Sequence, residues 1–462
     1  MFSLPTSVGP VVSPFSIAFT ARTFQRVVLL FVGSVLARGR HTVAAALRVL
    51  GPLAEGHHSD YHRVLSRARW SMLGKVLCGL VLGLVPADQP AVCAVDDTTA
   101  QHKGKHVWGK GRHRDNCRST RSHTVWVFGH KWVVLSIRVK FCFARRAWAL
   151  PVLAALYRPP ELSKEQGRRH KTPIELARGL VAVLLHWFPQ RRFILLGDGG
   201  FAAHELAGFC HRHRRRLTLV SLCHPRANLF TFPPKKKPRA GRNKGGRPRV
   251  KGDKLPAPED VVAATPRRKR AVVGWYGGEK RRIEFVSGTG YWYKGGDGLV
   301  PIRWVFVHDL DGTHEDRYFY STDPSFSPSK IVTLYTARWS IEVTFREVRF
   351  HLGLHTTRCW GHKSVLRAGP LLPGLFSVVC LVYHRPHPRQ GHQAGGDRLV
   401  RQGRRDLRRR HRMRAAAAMV EDGFETARPN RRLPEPPAPA APPALGAAQP
   451  SGVNRQKRQK SS

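Results

Sequence analysis

The stretch YTARWSIEVTFREVRFHLGL, residues 335–354, decides more about the fold of this chain than any other. It places Tyr335, Arg338, Glu342 and Arg349 at spacings of three, four and seven residues, which put all four on one face of a helix. Arg338 precedes Glu342 by four residues, so the two can form an ion pair on any helix, catalytic or not. A carboxylate set among groups that bind phosphate predicts a helix that faces a polyanion.

Two further carboxylates follow apolar runs far upstream. Asp97 comes after AVCAV at residues 91–95, and Asp198 comes after FILLG at residues 193–197. Each aspartate alone is more readily explained as a loop or helix-cap residue. Together with Glu342 they offer the oxygen ligands that Mg²⁺ prefers, and two divalent ions about 4 Å apart serve many enzymes that cut phosphodiesters. The trio predicts a metal-dependent enzyme acting on nucleic-acid phosphates.

Glu347 is a rival for the third acid. It stands five residues after Glu342, which rotates it far around the helix from the face described above. The aromatic residues Tyr335, Trp339 and Phe345 crowd the same segment, which a plain salt-bridged surface helix would not explain. The pattern therefore favours Glu342.

The charge balance selects the class of partner. The chain has 462 residues, of which 42% are hydrophobic, and 79 Lys and Arg against 30 Asp and Glu give a net charge of +49. Such an excess attracts polyanions, and nucleic acid is the expected partner. An anionic membrane is the competing interpretation, but the sequence shows no basic amphipathic helix or lipid anchor to support it.

The short apolar runs and the cysteine spacing bear on the compartment of the protein. The apolar runs 27–37 and 76–85 are too short to span a bilayer and are expected to be core helices. None of the eight cysteines forms a CxxC pair, which predicts free thiols in a reducing compartment. The Cys- and His-rich segment 210–224 fits no standard zinc spacing.

Composition divides the chain into five segments. They are a helical N-terminal domain at 1–88, the first part of an α/β core at 89–224, a basic linker with an antiparallel β insertion at 225–325, the rest of the core with the Glu342 helix at 326–384, and a basic, Pro- and Ala-rich tail at 385–462 that is expected to be disordered. The N-terminal helices predict either a DNA-binding or dimerising module or plain packing.

Strand and helix patterns fill these segments. The core is predicted to contain strands at 91–95, 124–129 and 132–141 with a hairpin-length gap between the last two, a helix at 173–188, a strand at 193–197, a helix at 201–213 and a strand at 217–223. The insertion is predicted to contain strands at 271–277, 281–295, 299–310 and 316–322. The Glu342 helix is predicted to begin at Ser327, with Pro328 in its first position.

Two basic segments are candidate DNA contacts. In GGRPRVKG, Arg247 and Arg249 resemble a minor-groove arm, although a solvated basic loop explains them equally well. In KGKHVWGKGRHR, Lys103 and Lys105 follow Asp97 closely and are predicted to contact phosphates.

The three acidic motifs together resemble those of the DDE transposases of bacterial insertion sequences, in the branch with a β-strand insertion. The third motif of that branch, Tyr-x2-Arg-x3-Glu-x6-Lys, stands here as the face of the 335–354 helix, with Arg349 in place of the lysine. VDDTT is similar to the first motif and assigns the acid to Asp97, with Asp96 as the reserve choice. GDGGF is similar to the second and assigns Asp198.

The resemblance implies a ribonuclease H-like core with a helical N-terminal domain and an antiparallel β insertion. It implies cut-and-paste transposition with two Mg²⁺ or Mn²⁺ ions held by Asp97, Asp198 and Glu342, while Tyr335, Arg338 and Arg349 bind DNA. The expected partners are double-stranded element ends and target DNA, a second copy of the chain in the synaptic complex, and no membrane. The expected location is the bacterial cytoplasm, at the nucleoid.

Two other functions remain open. One is a DNA-binding remnant of an element without catalytic turnover, and the other is a general ribonuclease H-like nuclease, against which the insertion argues. The resemblance also implies that an aromatic residue of the insertion stacks on a flipped base, with Trp292 and Trp304 as candidates, although a strand tryptophan is more often part of a core. The tail beyond residue 384 departs from the family pattern, either as a natural basic tail or as the product of a shifted reading frame.

Overall fold

A mixed β-sheet of eleven strands runs through the protein, which is described here from a computed structural model. The structure describes residues 8–384 except 71, 116, 117, 121 and 235–248. Arg247 and the tail at 385–462 therefore lie outside the described residues. The strands are β1 Ala91–Gln101, β2 Gly111–Arg114, β3 Trp126–Val139, β4 Trp148–Tyr157, β5 Phe193–Leu196, β6 Leu217–Leu222, β7 Leu229–Phe230, β8 Lys269–Gly274, β9 Lys280–Lys294, β10 Gly298–Asp309 and β11 Arg317–Ser321.

Helices precede, interrupt and follow these strands. They are α1 Gly9–Val12, α2 Ala21–Leu36, α3 Val43–Leu50, α4 His58–Ser66, α5 Leu73–Leu82, α6 Pro160–Glu165, α7 Pro173–Trp187, α8 His204–Arg212, α9 Pro258–Ala263, α10 Pro328–Ala337, α11 Ser340–His351 and α12 His362–His384. The segment before β1 is helical, as the sequence predicts. Its apolar residues join one continuous hydrophobic cluster with those of the sheet and of α12.

The strand order is β2-β3-β1-β5-β6-β11-β10-β9-β7, with β4 paired to β3 and β8 paired to β9. β1 runs antiparallel to β3 and parallel to β5, and β5 runs parallel to β6. The β1, β5 and β6 strands are the parallel centre, so the carboxyl ends of β1 and β5 lie at the same edge of the sheet. This arrangement confirms a mixed α/β fold and brings the ends of two predicted strands together.

The predicted hairpin within residues 124–141 is wrong. β3 is one continuous strand that pairs with β1 from Gly129 to Ile137. Gly129 permits a close approach of the two strands, because a Cβ there would collide with the carbonyl oxygen of Ala100 on β1. Besides β1, β3 pairs with β2 near its beginning and with β4 further along, and Pro151 of β4 sits at a register shift opposite Ser136.

The predicted β insertion contains all four of its expected strands, β8 to β11, paired antiparallel. It is not a separate sheet, because β11 pairs with β6 through Phe319, Tyr320 and Ser321. Its far side is also fastened to α10: Gly274 of β8 accepts a hydrogen bond from the Thr336 hydroxyl at 3.0 Å and donates one to Thr333 Oγ1 at 3.0 Å. The insertion therefore extends the core sheet and supports the helix that precedes Glu342.

Among the described residues, α12 has the length and the apolar composition of a membrane-crossing helix, with a mean hydropathy of 1.9 over its most apolar stretch. Two thirds of that stretch is buried in the protein, where the helix packs against β4. The buried Ser377 hydroxyl donates a hydrogen bond to the Pro151 carbonyl of β4 at 2.7 Å. A core helix of a folded domain passes the same test of length and composition.

Candidate active site

Asp96 and Asp97 are consecutive residues of β1 and point to opposite faces of the sheet, because side chains alternate along a strand. Asp96 stands opposite Val134 of β3 and Asp97 opposite Val133. Asp96 also accepts a hydrogen bond from the backbone N–H of Asp97 at 2.8 Å. The motif VDDTT thus supplies one carboxylate to each face of the sheet.

Asp198 lies beside this pair. Ala94 of β1 pairs in parallel with Leu196 of β5, so Asp96 and Asp198 each stand two residues further along. The side chain of Asp198 accepts a hydrogen bond from the Gly200 N–H at 3.0 Å, which caps a short 3₁₀ turn. Its carbonyl oxygen accepts a hydrogen bond from Ser221 Oγ at 3.0 Å. β6 therefore fixes the loop that carries Asp198.

The predicted single helix around Glu342 is two helices, α10 and α11, joined at Arg338 and Trp339. Its beginning is as predicted: Ser327 caps α10 by accepting from the Lys330 N–H, and Pro328 is the first residue. Both joining residues keep helical backbone angles, so the four-residue spacing from Arg338 to Glu342 still places them on one face. The break does not separate the two side chains, because Arg338 still contacts Glu342.

Arg338 joins two acids that are distant in the sequence: Asp96, which lies 242 residues before it, and Glu342 on the next helix. Its Nη1 atom contacts Asp96 Oδ2 at 2.9 Å, and its Nη2 atom contacts Glu342 Oε1 at 2.6 Å. Because a single planar guanidinium makes both contacts, the two carboxylates lie within about 8 Å of each other. The Arg338 side chain is 11% exposed and that of Glu342 is 45% exposed. The fold thus gathers Asp96, Glu342 and, beside Asp96, Asp198.

The electrostatics of Asp96 are those of a crowded acid. Burial raises its pKa to about 7, the charge of Arg338 opposes this shift, and the nearby Asp198 and Asp97 carboxylates add to it. Burial alone would lower the pKa of Arg338, but Asp96, Tyr335, Glu342 and Asp198 together raise it. Arg338 therefore remains a cation that offsets part of the charge of the acids around it.

Asp97 has a different partner on the other face. Its Oδ2 atom contacts Lys131 Nζ of β3 at 3.0 Å. Burial raises the pKa of Asp97, Lys131 opposes this shift, and Asp198 adds to it. Asp198 therefore influences both aspartates, but only Asp96 is connected to Glu342 through a shared side chain. Lys131 is absent from the sequence prediction, because it meets Asp97 only through the pairing of β1 with β3, with β2 between them in the chain.

The other residues of the 335–354 stretch surround this arrangement. Tyr335 is buried, its ring centre 4.5 Å from that of Phe319. Arg349 donates a hydrogen bond to the hydroxyl of Thr98, which stands two residues after Asp96 and therefore points to the same face. All four predicted side chains of this stretch thus lie on the Asp96 side of the sheet.

The remaining predicted DNA contacts are not gathered at this site. Lys103 and Lys105 are exposed in the loop that follows β1. Arg249 is exposed and 3.8 Å from Asp253. Trp304 is buried, and Trp292 packs edge-on against His204 with ring centres 5.0 Å apart. Trp304 is thus a core residue, and Trp292 is a partly buried residue that packs against the core.

The donor set at this site fits a divalent metal by chemistry. Asp96, Asp198 and Glu342 offer only carboxylate oxygens, the ligands that Mg²⁺ and Mn²⁺ prefer. Burial is the main cause of the raised pKa of Asp96, and the nearby Asp198 carboxylate adds to it. No three His, Cys, Asp or Glu side chains of the described ranges are close enough to hold an ion as they stand. The guanidinium of Arg338 stands between Asp96 and Glu342, so binding an ion between them requires that side chain to move.

The chain resembles known proteins over most of its described length. Residues 14–282 match the family model described as "DDE superfamily endonuclease", and residues 298–365 match the one described as "Archaeal putative transposase ISC1217". No curated protein matches the sequence. Among solved structures, the chain is similar to the cryo-EM structure of the piggyBac transposase synaptic complex with hairpin DNA, at 12% identity and a TM-score of 0.39 over 92% of this chain and 79% of that chain.

Proposed function

The chain belongs to the DDE superfamily of endonucleases, and we propose that it is a DNA transposase that cuts the ends of its element and joins them to target DNA. The observation that carries the proposal is the contact of Arg338 with both Asp96 and Glu342, beside Asp198. The match of residues 298–365 to a transposase family supports transposition rather than general nucleolysis.

The strand order also supports a ribonuclease H-like core. β4, β3 and β1 form an antiparallel set, to which β5 and β6 add in parallel. The first acid lies on the central strand and the second at the end of the strand beside it. In this proposal the residues before β1 form the helical N-terminal part, and β8 to β11 are the insertion.

We assign the first acid to Asp96 and keep Asp97 as the alternative. The sequence motif alone favours Asp97, and that prediction stays open to test. Asp96 has the stronger structural support, because it shares a guanidinium with Glu342 and lies on the same face as Thr98 and Arg349. Asp97 faces the other side of the sheet, where Lys131 pairs with it.

Asp96, Asp198 and Glu342 would hold two Mg²⁺ or Mn²⁺ ions, which in such sites activate the attacking oxygen and stabilise the leaving one. Before an ion binds, Arg338 neutralises part of the charge of two of these acids. The guanidinium of Arg338 has five N–H donors. It can therefore stay hydrogen-bonded to one acid, lose its contact with the other and donate instead to a DNA phosphate. Glu342 is the more exposed of the two acids and is the one expected to be released.

Arg349 supplies a second cation on the same face. Its hydrogen bond to Thr98 fixes it close to the carboxylates, where it can contact a phosphate of double-stranded DNA. The proposal includes a homodimer in the complex that holds two element ends, as expected for a reaction on paired ends.

The test is cleavage of DNA that carries the inverted repeats flanking the gene, with Mg²⁺ or Mn²⁺. The unmodified protein should cut at the repeats, and Glu342→Gln should lower the rate by on the order of 10³-fold, because removing a metal ligand costs several kcal/mol. Glu347→Gln is the matched control, since Glu347 lies on the same helix but pairs with His351. Its rate should stay within about threefold of the unmodified rate.

Two outcomes would overturn this proposal. Specific binding of the repeats without metal-dependent cleavage by the unmodified protein would identify a remnant without turnover. Equal loss of activity in Glu347→Gln and Glu342→Gln would show that damage to α11, rather than loss of a ligand, explains the effect.

A further inference from the structure

Two aromatic side chains stand in solvent on one face of β3. Trp126 is 47% exposed and Phe128 is 56% exposed. They are two residues apart on a strand, so both rings point to the same side, about 7 Å apart. Exposed rings of this size are costly in a protein that has enough core to bury them, and paired exposure indicates a binding surface.

Cations accompany both rings. In the β2–β3 pairing, Arg112 stands opposite Phe128 and Arg114 opposite Trp126, and both arginines are exposed. The guanidinium carbon of Arg112 lies 4.3 Å from the centre of the Trp126 ring, and Lys110 Nζ lies 5.9 Å from that of Phe128. We call Lys110, Arg112, Arg114, Trp126 and Phe128 the aromatic ribbon.

The reverse side of the ribbon is covered. His113, between the two arginines, is buried, and its Nε2 atom lies 3.2 Å from the Gly129 carbonyl oxygen. The acidic residue nearest to the ribbon in the sequence, Asp115, lies 3.7 Å from Arg118. One face of this two-stranded segment therefore belongs to the core, and the other presents rings and positive charge.

The exposed face of the ribbon is the same face that carries Asp96. Asp96 stands opposite Val134, and directly opposed residues of antiparallel strands share a face. Val134, Phe128 and Trp126 are separated by even numbers of residues on one strand, so they share that face too. Phe128 lies six residues from Val134, or about 20 Å along β3, which is the length of about six base pairs.

We propose that the aromatic ribbon binds unpaired DNA nucleotides, with bases stacked on Trp126 and Phe128 and phosphates held by Arg112 and Arg114. Aromatic rings flanked by cations are the recurring means of binding single strands, since every base has a face that stacks. A duplex shows its base edges to a protein and keeps its faces stacked internally, so it cannot use these rings in that way. The inference rests on the proposed function for the identity of the ligand as DNA, and it adds a second contact away from the carboxylates.

The test is a metal-free binding measurement by fluorescence anisotropy, with a labelled single-stranded oligonucleotide and the corresponding duplex. The double variant Trp126→Ala/Phe128→Ala should bind the single strand ~10- to 100-fold more weakly, as expected for loss of stacking. Its affinity for the duplex should change by less than about threefold, because the cations remain. Trp126→Phe/Phe128→Tyr should bind the single strand nearly as well as the unmodified protein.

Phe232→Ala is the matched control, because Phe232 is another exposed aromatic residue near basic sequence. It should leave single-strand affinity unchanged. Arg112→Ala/Arg114→Ala should instead reduce the slope of log affinity against log salt concentration by about 1.4 for the single strand, the share of two phosphate contacts. Circular dichroism of each variant checks that the sheet is intact.

Several results would overturn the inference. Equal weakening of single-strand and duplex binding, no change in either, or a loss in Phe232→Ala as large as in the double variant would each exclude stacking at the ribbon. The proposed function fails separately, in the cleavage test at Glu342, because the binding measurement needs neither metal nor turnover. If the unmodified protein binds neither form of DNA, both proposals fall together.

Discussion

Asp96 and Asp97 are neighbours in sequence, and each is paired with a cation, yet they belong to different parts of the molecule. The partner of Asp97 is Lys131, which lies on the neighbouring strand β3. The partner of Asp96 is Arg338, which brings with it Glu342 from the far end of the described chain. The comparison teaches that a strand sorts consecutive acids by face, and that the face determines which distant residues each acid can meet.

The most direct way to break this comparison is to neutralise each aspartate in turn. Asp96→Asn should lower the rate of metal-dependent DNA cleavage by on the order of 10³-fold, because it removes the charge of a proposed metal ligand. Asp97→Asn should lower it by less than about tenfold, because this side chain faces Lys131. Cleavage rates on the repeat-containing DNA, at one metal concentration, measure both. The opposite ranking would restore Asp97 as the first acid.

A second test compares stability without divalent ions. The pKa of Asp96 is about 7 in the folded protein, above its ordinary value of 3.8. The folded state therefore favours the protonated acid, so this contribution to stability is complete below pH 4 and is lost as the pH rises through about 7. The loss is at most about 4 kcal/mol at pH 8. Relative to the unmodified protein, Asp96→Asn should raise the melting temperature at pH 8 in EDTA by several degrees.

Asp97→Asn provides the control for this test. The pKa of Asp97 is also raised, so the sign is the same, but Lys131 opposes the shift and the gain should be smaller. Adding Mn²⁺ at pH 8 should stabilise the unmodified protein more than Asp96→Asn, because a bound ion offsets the charge of the acids. A melting temperature for Asp96→Asn that falls below that of the unmodified protein at pH 8 would show that the Arg338 contact outweighs the cost of burial.

The smallest expected effect concerns Thr98 and Thr99, which follow the two aspartates on β1 and again point to opposite faces of the sheet. Thr98→Val removes the hydroxyl that accepts a hydrogen bond from Arg349. A bond to a charged group is worth about 1.5–3 kcal/mol, so the affinity for element ends should fall by at least about tenfold. Thr99→Val, on the Lys131 face, should change that affinity by less than about twofold. Equilibrium binding of repeat DNA measures both affinities. Equal effects of the two variants would contradict the proposal that the face carrying Asp96 and Thr98 binds the element ends.

Local patterns predicted most elements of this fold. The cap at Ser327, the strands β8 to β11 and the helices before β1 all follow from residues close together in sequence. The hairpin predicted within residues 124–141 is wrong, because the sequence does not show that Gly129 permits the close approach of β3 to Ala100. β4 was not predicted, because it contains Pro151, and a proline within a strand is tolerated only at a bulge or an edge.

The parts of the candidate site that depend on long-range contacts could not be predicted from the sequence. The spacing of Tyr335, Arg338, Glu342 and Arg349 predicted a shared face, and the structure keeps it despite the break at Arg338 and Trp339. The choice between Asp96 and Asp97 was not predictable, because it depends on which face of β1 the Glu342 helix covers. The pairing of β11 with β6 was hidden for the same reason, since almost a hundred residues separate the two strands.

The union of the insertion with the core sheet has a consequence for how such a protein can evolve. The helix before Glu342 is hydrogen-bonded to β8 through Thr333 and Thr336, and it also packs against β10, β11 and β6. The inserted segment is thus part of the core sheet and supports α10. A lineage that trims or exchanges it must also rebuild the support of α10, so the insertion and the helix that leads to Glu342 should be inherited as one unit.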